Sequence, residues 1–162
     1  MNYLTGTTLA PDYTQKIFTP GDFKTLVNRT AAKVRFLQKK LGVNTLVGCG
    51  NSGVPLVSAV SFKLTLPFFA VRKRVDGHSA TRANGYLLAK GCRYLIIDDL
   101  ISTGATMRRI VKNVRLEVDE DGAHKLPMPV GILLYHEACW DYEDGDEYFH
   151  VPGYKRLPLF YL

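Results

Sequence analysis

Between Tyr94 and Thr106 the sequence passes from an apolar run, Tyr94-Leu95-Ile96-Ile97, to two adjacent carboxylates, Asp98 and Asp99. A stretch of hydroxyls and small residues follows, Ser102-Thr103-Gly104-Ala105-Thr106. The apolar run reads as a buried strand. Helical periodicity then resumes at Met107, Ile110, Val111 and Val114. A strand that ends in acids and turns at once into a helix points to an α/β fold, and it also makes a site. The loop and helix N-terminus present free backbone N–H groups and a positive dipole end to a phosphate. Carboxylates can hold vicinal hydroxyls or a hydrated Mg2+. Two neighbouring acids at a strand end repel each other and lose hydration, an arrangement that a ligand or metal relieves. The pattern predicts a binding site for a sugar phosphate.

The rest of the chain repeats the alternation. Thr19-Pro20-Gly21-Asp22 reads as a helix start, with Thr as N-cap, Pro in the first turn and an acid three residues after the cap. Phe23, Leu26, Val27, Val34, Leu37 and Leu41 recur at helical spacing, and Gly42 stops the helix. Thr45–Val47 is a short buried strand, followed by a glycine-rich turn from Gly48 to Gly53 and a helix to about Leu64. Pro67–Val71 and Val130–Leu134 are further strands, and 86–89 a short one. Arg72–Asn84 is polar, lacks apolar periodicity and is long for a connection, which suggests a mobile functional loop. From Tyr135 onward the sequence reads as aromatic, acidic and irregular. The expected fold is α/β: a single domain over 1–162, with a central, mainly parallel sheet flanked by helices. A small irregular hood is expected from 1–18 and/or 135–162. Ligands in such sheets sit at the carboxyl ends of strands, so the turns after Val47, Val71 and Ile97 can converge on one crevice.

The stretch 94–106 resembles the binding signature for 5-phosphoribosyl-1-pyrophosphate (PRPP) in type I phosphoribosyltransferases. That signature runs from an apolar strand into two acids, an apolar residue, any residue, Ser/Thr/Ala, Thr, Gly, Gly/Ala and Thr, and every position is filled here. The resemblance covers roughly Thr45 to Val114. It implies that Ile101, Ser102, Thr103, Gly104, Ala105 and Thr106 hold the 5-phosphate. It also implies that Asp98 and Asp99 contact the ribose hydroxyls, directly or through Mg2+, as catalytic and metal-binding residues. Cys49-Gly50-Asn51-Ser52-Gly53 resembles the family's pyrophosphate loop, with Asn51, Ser52 and Gly53 as its contacts. It is not a P-loop, since no Gly-Lys-Ser/Thr closes it. Because the family often carries a cis non-proline peptide here, Asn51-Ser52 is the expected position for one.

Arg72 and Lys73 are the expected cations for the diphosphate. The segment Arg72-Lys73-Arg74-Val75-Asp76-Gly77-His78 is similar to the orotate branch, in which Arg-Lys is followed by a loop Lys and a His. Arg72, Lys73 and His78 match, and His78 becomes a candidate catalytic residue. Asp76 stands where the loop Lys would be, with Arg74 or Arg82 as possible substitutes. The expected reaction is transfer of a phosphoribosyl group from PRPP to a nucleobase, orotate or a purine, with Mg2+ as cofactor. The alternative is a non-catalytic, nucleotide-sensing or RNA-binding regulator on the same scaffold. Trp140, Tyr142, Phe149 and Tyr154 are candidate base-stacking residues for a purine.

Charge does not separate these readings. The formal net charge is +6, and six of the fifteen acids fall between Glu137 and Glu147, where there is no Lys or Arg. The remaining basic body could attract nucleic acid or a small polyanion such as a diphosphate. Three scattered cysteines, Cys49, Cys92 and Cys139, argue against a disulfide framework and for the cytoplasm. The N-terminal sequence does not read as a signal peptide. No apolar run approaches the roughly 20 residues of a membrane span, so no membrane partner is expected. The resemblance implies a homodimer.

Overall fold

The computed structural model describes residues 19–73, 83–85, 91–120, 127–136, 147–154 and 156–162. Helix α1 (Pro20–Leu41) begins after Thr19, whose carbonyl accepts from the Phe23 N–H at 2.8 Å. It ends at Gly42, whose left-handed backbone (φ 67°) turns its N–H onto the Gln38 carbonyl. Strand β1 (Thr45–Cys49) runs into helix α2 (Gly50–Leu64), and strand β2 (Phe68–Val71) follows. Next come β3 (Ala83–Gly85), β4 (Arg93–Asp98), helix α3 (Ala105–Glu120), β5 (Met128–Leu134), β6 (Tyr148–Phe149) and β7 (Leu157–Tyr161).

The sheet order is β3-β2-β1-β4-β5-β7-β6. The five inner strands are parallel, and β3 and β6 pair antiparallel at the two edges. Helices cover both faces. Leu26, Val34 and Leu37 of α1 and Leu56, Val57 and Val60 of α2 pack on Leu46, Leu95, Ile97 and Leu133. On the other face Met107, Ile110, Val111 and Val114 of α3 pack on Val47, Ile96, Ile132 and Leu159. Burial from both sides is why β1 and β4 read as continuous apolar runs rather than alternating ones.

Tyr94 lies opposite Pro129 and Leu95 opposite Gly131, which leaves Val130 as an extra residue, a β-bulge. The bulge resets the parity of β5. Val130 and Leu133 face α1 and α2, while Ile132 and Leu134 face α3.

The structure changes several expected boundaries. β1 extends to Cys49 and α2 starts at Gly50, so most of the expected Gly48–Gly53 turn is the first turn of a helix. The end of the polar segment forms β3, which pairs with β2 through backbone bonds and so needs no apolar pattern. The expected strand at 86–89 lies outside the described residues. The tail is not wholly irregular: β7 lies inside the sheet, parallel to β5, and β6 pairs with it. Among the described residues, no helix is long and apolar enough to cross a membrane.

From β1 the chain steps to β2 on one side; from β4 it steps to β5 and β7 on the other. The order therefore reverses between β1 and β4, where the helices that follow them leave to opposite faces. A crevice opens at the carboxyl ends of strands at such a point.

Candidate functional site

Asp98 closes β4 and Asp99 follows it, so the sheet delivers both acids to the reversal point. The parallel neighbour β5 fixes their backbone. The Tyr135 N–H donates to the Asp98 carbonyl at 3.2 Å and the His136 N–H to the Asp99 carbonyl at 3.1 Å. Asp98 is 3 % exposed and Asp99 8 %. Asp98 Oδ1 accepts from the Ser52 hydroxyl at 2.9 Å and from the Asp99 N–H at 3.1 Å. Asp99 Oδ1 accepts from the Leu100 N–H at 2.9 Å. Burial, and then the neighbouring Asp99, raise the Asp98 pKa far above the usual carboxylate range, although the Ser52 and Asp99 N–H bonds oppose the rise. A cation beside Asp98 would oppose that rise.

The turn after the acids has two kinds of residue. Ile101 is buried in the core beneath α3, so only its backbone is available to a ligand. Ser102, Thr103 and Ala105 are exposed and Thr106 half-buried. Gly104 takes a left-handed backbone (φ 69°), and the ring of Phe149 lies directly on it. A Cβ there would fall 2.4 Å from Phe149 Cζ. The guanidinium of Arg108 donates to the Thr103 carbonyl, and the Arg108 N–H donates to the Gly104 carbonyl at 3.1 Å, which closes the loop onto the first turn of α3. The Thr103 hydroxyl accepts from the Ala105 N–H at 3.4 Å where α3 opens, and Ser102, Thr103 and Thr106 at this helix N-terminus make a candidate cradle for an anion. Thr103→Val keeps the side-chain shape and removes one hydroxyl, together with the bond it accepts from the Ala105 N–H. Its affinity for ribose 5-phosphate should fall roughly 10-fold, the value of one hydrogen bond to a charged group. An unchanged dissociation constant in titration calorimetry would remove Thr103 from the cradle.

The second wall is the start of α2. Gly50 turns the chain from strand to helix with φ 64°, and the stem of Lys73 fills the space a side chain would take: a Cβ would lie 2.5 Å from Lys73 Cε. A Cβ on Gly48 would meet the Gly53 backbone at 2.7 Å, and one on Gly53 the Ile97 carbonyl at 2.8 Å. These glycines seat the first turn of α2 directly on β1 and β4. A cavity of about 530 Å³ opens beside it, lined by Gly50, Asn51, Val71, Arg72, Lys73 and Asn84 among others. Three residues expected to bind diphosphate, Asn51, Arg72 and Lys73, therefore share one cavity at the ends of β1 and β2. Gly53 lies buried at the helix–sheet contact. Ser52 differs from expectation too. Its hydroxyl faces inward to Asp98, and its carbonyl accepts from the Tyr135 hydroxyl at 2.9 Å. The expected cis peptide is not there either. Among the described residues no peptide is cis, and 51 and 52 lie in the first turn of α2.

Beneath this wall, burial and Asp98 push the Cys49 thiol up to about 11, with Lys73 and Arg109 pulling it down. The thiol is therefore neutral. The charges of Lys73 and Arg109 both reach the end of β1, and Arg109 was not singled out by the sequence. His78, Asp76, Arg74, Arg82, Trp140 and Tyr142 lie outside the described residues. Phe149 is fully buried against the cradle, so it is not a base-stacking residue. Tyr135 is the other site neighbour that sequence reasoning missed. Tyr135 carried one usable signal: it follows the apolar strand 130–134 just as Asp98 follows 94–97, and parallel strands bring such positions together.

An acid pair, a hydroxyl-bearing turn at a helix N-terminus and a basic cavity thus gather at the reversal point of the parallel sheet of an α/β fold. Residues 15–118 match the phosphoribosyl transferase domain family, and the chain belongs to that family. It is 36 % identical over 84 residues to a hypoxanthine/guanine phosphoribosyltransferase of Methanohalophilus mahii, covering 44 % of each chain. It is 34 % identical over 117 residues to an orotate phosphoribosyltransferase of Streptococcus pyogenes, covering 72 % of this chain and 51 % of the relative. The chain spans about half the length of these curated relatives. Among solved structures, UMP synthase of Leishmania donovani superposes with a TM-score of 0.57 at 22 % identity, over 86 % of this chain and 28 % of that one. Adenine phosphoribosyltransferase of Thermoanaerobacter pseudethanolicus gives 0.54 at 15 %, over 78 % and 76 %. These two share the fold.

Proposed function

We propose that this protein transfers a phosphoribosyl group from PRPP to a nucleobase, orotate or a purine, and releases pyrophosphate and a nucleoside monophosphate. The observation that carries this reading is the buried acid pair between the anion cradle and the basic cavity. The cradle would hold the 5-phosphate, Asp98 and Asp99 the ribose hydroxyls, and Asn51, Arg72, Lys73 and the first amides of α2 the diphosphate. The bond from ribose C1 to the diphosphate oxygen would break largely before the base nitrogen attacks. Arg72 and Lys73 would then stabilise charge that builds on the leaving group, an effect of several kcal/mol in a dry site. His78 or Asp99 would manage the proton on the base.

The donor set fits Mg2+. Carboxylate oxygens suit this ion, which is usually bound by one or two carboxylates together with substrate phosphates. Among the described residues no cluster of three or more His, Cys, Asp or Glu side chains could cage a metal. The like-charged, buried pair is the arrangement a cation relieves. When bound, the ion would neutralise charge on the diphosphate.

The same reading would put the protein in the cytoplasm, in keeping with the buried Cys49 and Cys92, neither of which is in a disulfide. It also makes the protein a homodimer; Phe62, 91 % exposed on α2, is a surface that such a contact could cover. A hood over the crevice would come from 1–18 or from those parts of 135–162 outside the sheet.

A panel assay tests the reading. PRPP and Mg2+ are combined with orotate, uracil, adenine, hypoxanthine, guanine or xanthine, and pyrophosphate release is followed. Release with orotate or a purine is expected; none with any base overturns the proposal.

A further inference from the structure

Three hydrogen bonds form a closed circuit around the acid pair. The Tyr135 N–H donates to the Asp98 carbonyl at 3.2 Å, the Tyr135 hydroxyl to the Ser52 carbonyl at 2.9 Å, and the Ser52 hydroxyl to Asp98 Oδ1 at 2.9 Å. The circuit joins β5, α2 and β4, three elements far apart in sequence. We propose that Tyr135 is a positioning residue, which through Ser52 locks the ribose-binding acids and the diphosphate-binding start of α2 into one rigid unit. The proposal rests on the function given above and deepens it.

Several observations favour positioning over packing. Tyr135 is 5 % exposed, and its ring belongs to the core beneath α1 and α2, a role that phenylalanine would fill equally well. The hydroxyl is the part that packing does not require. Burying it costs free energy unless it is bonded, and here it is bonded to the first turn of α2. Register adds to the case. Tyr135 lies one step beyond β5, beside Asp98, so its distance to the acids is set by the sheet rather than by a loop.

The chemistry benefits from such a lock. PRPP carries its ribose and diphosphate on one C1–O bond, and the bond breaks fastest when both ends are held in a fixed relation. A misplacement of about 1 Å between groups that must act together can cost about 100-fold in rate. Each end gripped by itself would gain nothing from the lock, whereas a ligand that spans both ends would.

That difference supplies the test. Tyr135→Phe is made in the full chain, and titration calorimetry measures ribose 5-phosphate, magnesium pyrophosphate and PRPP with Mg2+, alongside melting temperature. The two fragments should bind within about twofold of wild type. PRPP, which spans both sub-sites, should weaken about 5- to 10-fold, the scale of one hydrogen bond. PRPP affinity unchanged in Tyr135→Phe would overturn the proposal. So would a parallel loss for PRPP and both fragments that follows a fall in melting temperature, because that is the signature of packing. If the wild-type chain bound neither fragment, the functional reading itself would fail, a result distinct from either of these.

Discussion

Replacing Asp98 with Asn will make the empty protein more stable and nearly unable to bind PRPP. Asn keeps the oxygen that accepts from Ser52 and from the Asp99 N–H. It removes a buried acid whose charge is opposed by burial and by Asp99. The sign with pH follows from linkage. The folded pKa of Asp98 is raised, so its contribution is fully favourable below the unfolded value of about 3.9 and is lost as pH rises toward the folded value. The variant has no such loss. Its advantage should therefore be negligible near pH 4 and grow with pH to roughly 1–2 kcal/mol, or about 2–8 °C in Tm. Binding moves the other way. Loss of a hydrogen bond to a charged carboxylate should weaken PRPP roughly 10- to 150-fold, and the double change with Asp99→Asn should abolish it while the chain stays folded. Thermal melts across pH together with calorimetry decide the matter. A destabilised variant, or one that binds PRPP like wild type, would remove the acid pair from the site.

Gly104→Ala will damage both fold and cradle. A left-handed backbone costs a non-glycine residue about 1–2 kcal/mol. The added methyl would also sit 2.4 Å from Phe149 Cζ, and overpacking of this kind costs about 1–3 kcal/mol. A loss of roughly 3 kcal/mol corresponds to about 6–12 °C in Tm for a chain of this size. Ribose 5-phosphate binding should fall below detection, since α3 opens at the next residue and its first amides would shift. The partner in the clash supplies a control. Adding Phe149→Leu relieves the steric part and leaves the backbone part, so the double variant should be less destabilised than the sum of the two single ones. Additive effects would mean that the ring does not press on the loop.

What the sequence disclosed follows from how local each signal is. β4 and α3 were readable because an apolar run and a helical repeat meet at a turn of small residues, all within two dozen positions. Gly42 announced the end of α1 through its own backbone requirement. β7 was missed because Pro158 interrupts Leu157–Tyr161 and a proline argues against an inner strand. β3 was missed because Ala83-Asn84-Gly85 is too short to carry a period. The bulge at Val130 was unreadable, since it exists only in the pairing of β4 with β5. The same division runs through the site. Asp98, Asp99 and the exposed hydroxyls of the cradle could be picked out as types at a spacing. The inward turn of Ser52 could not, because its partner is 46 positions away, and Tyr135 is 83 positions from Ser52. Both are products of register and packing.

The placement of β7 has a consequence for synthesis. Leu157–Tyr161 lies between β5 and β6 although it is translated last of the three. Until it emerges, one side of Met128–Leu134, a nearly unbroken apolar ribbon, has no backbone partner, and an open ribbon of that kind is a template for pairing with other chains. A polypeptide cut short before Leu157 would carry its cradle and acids intact and still be prone to aggregate through that exposed flank.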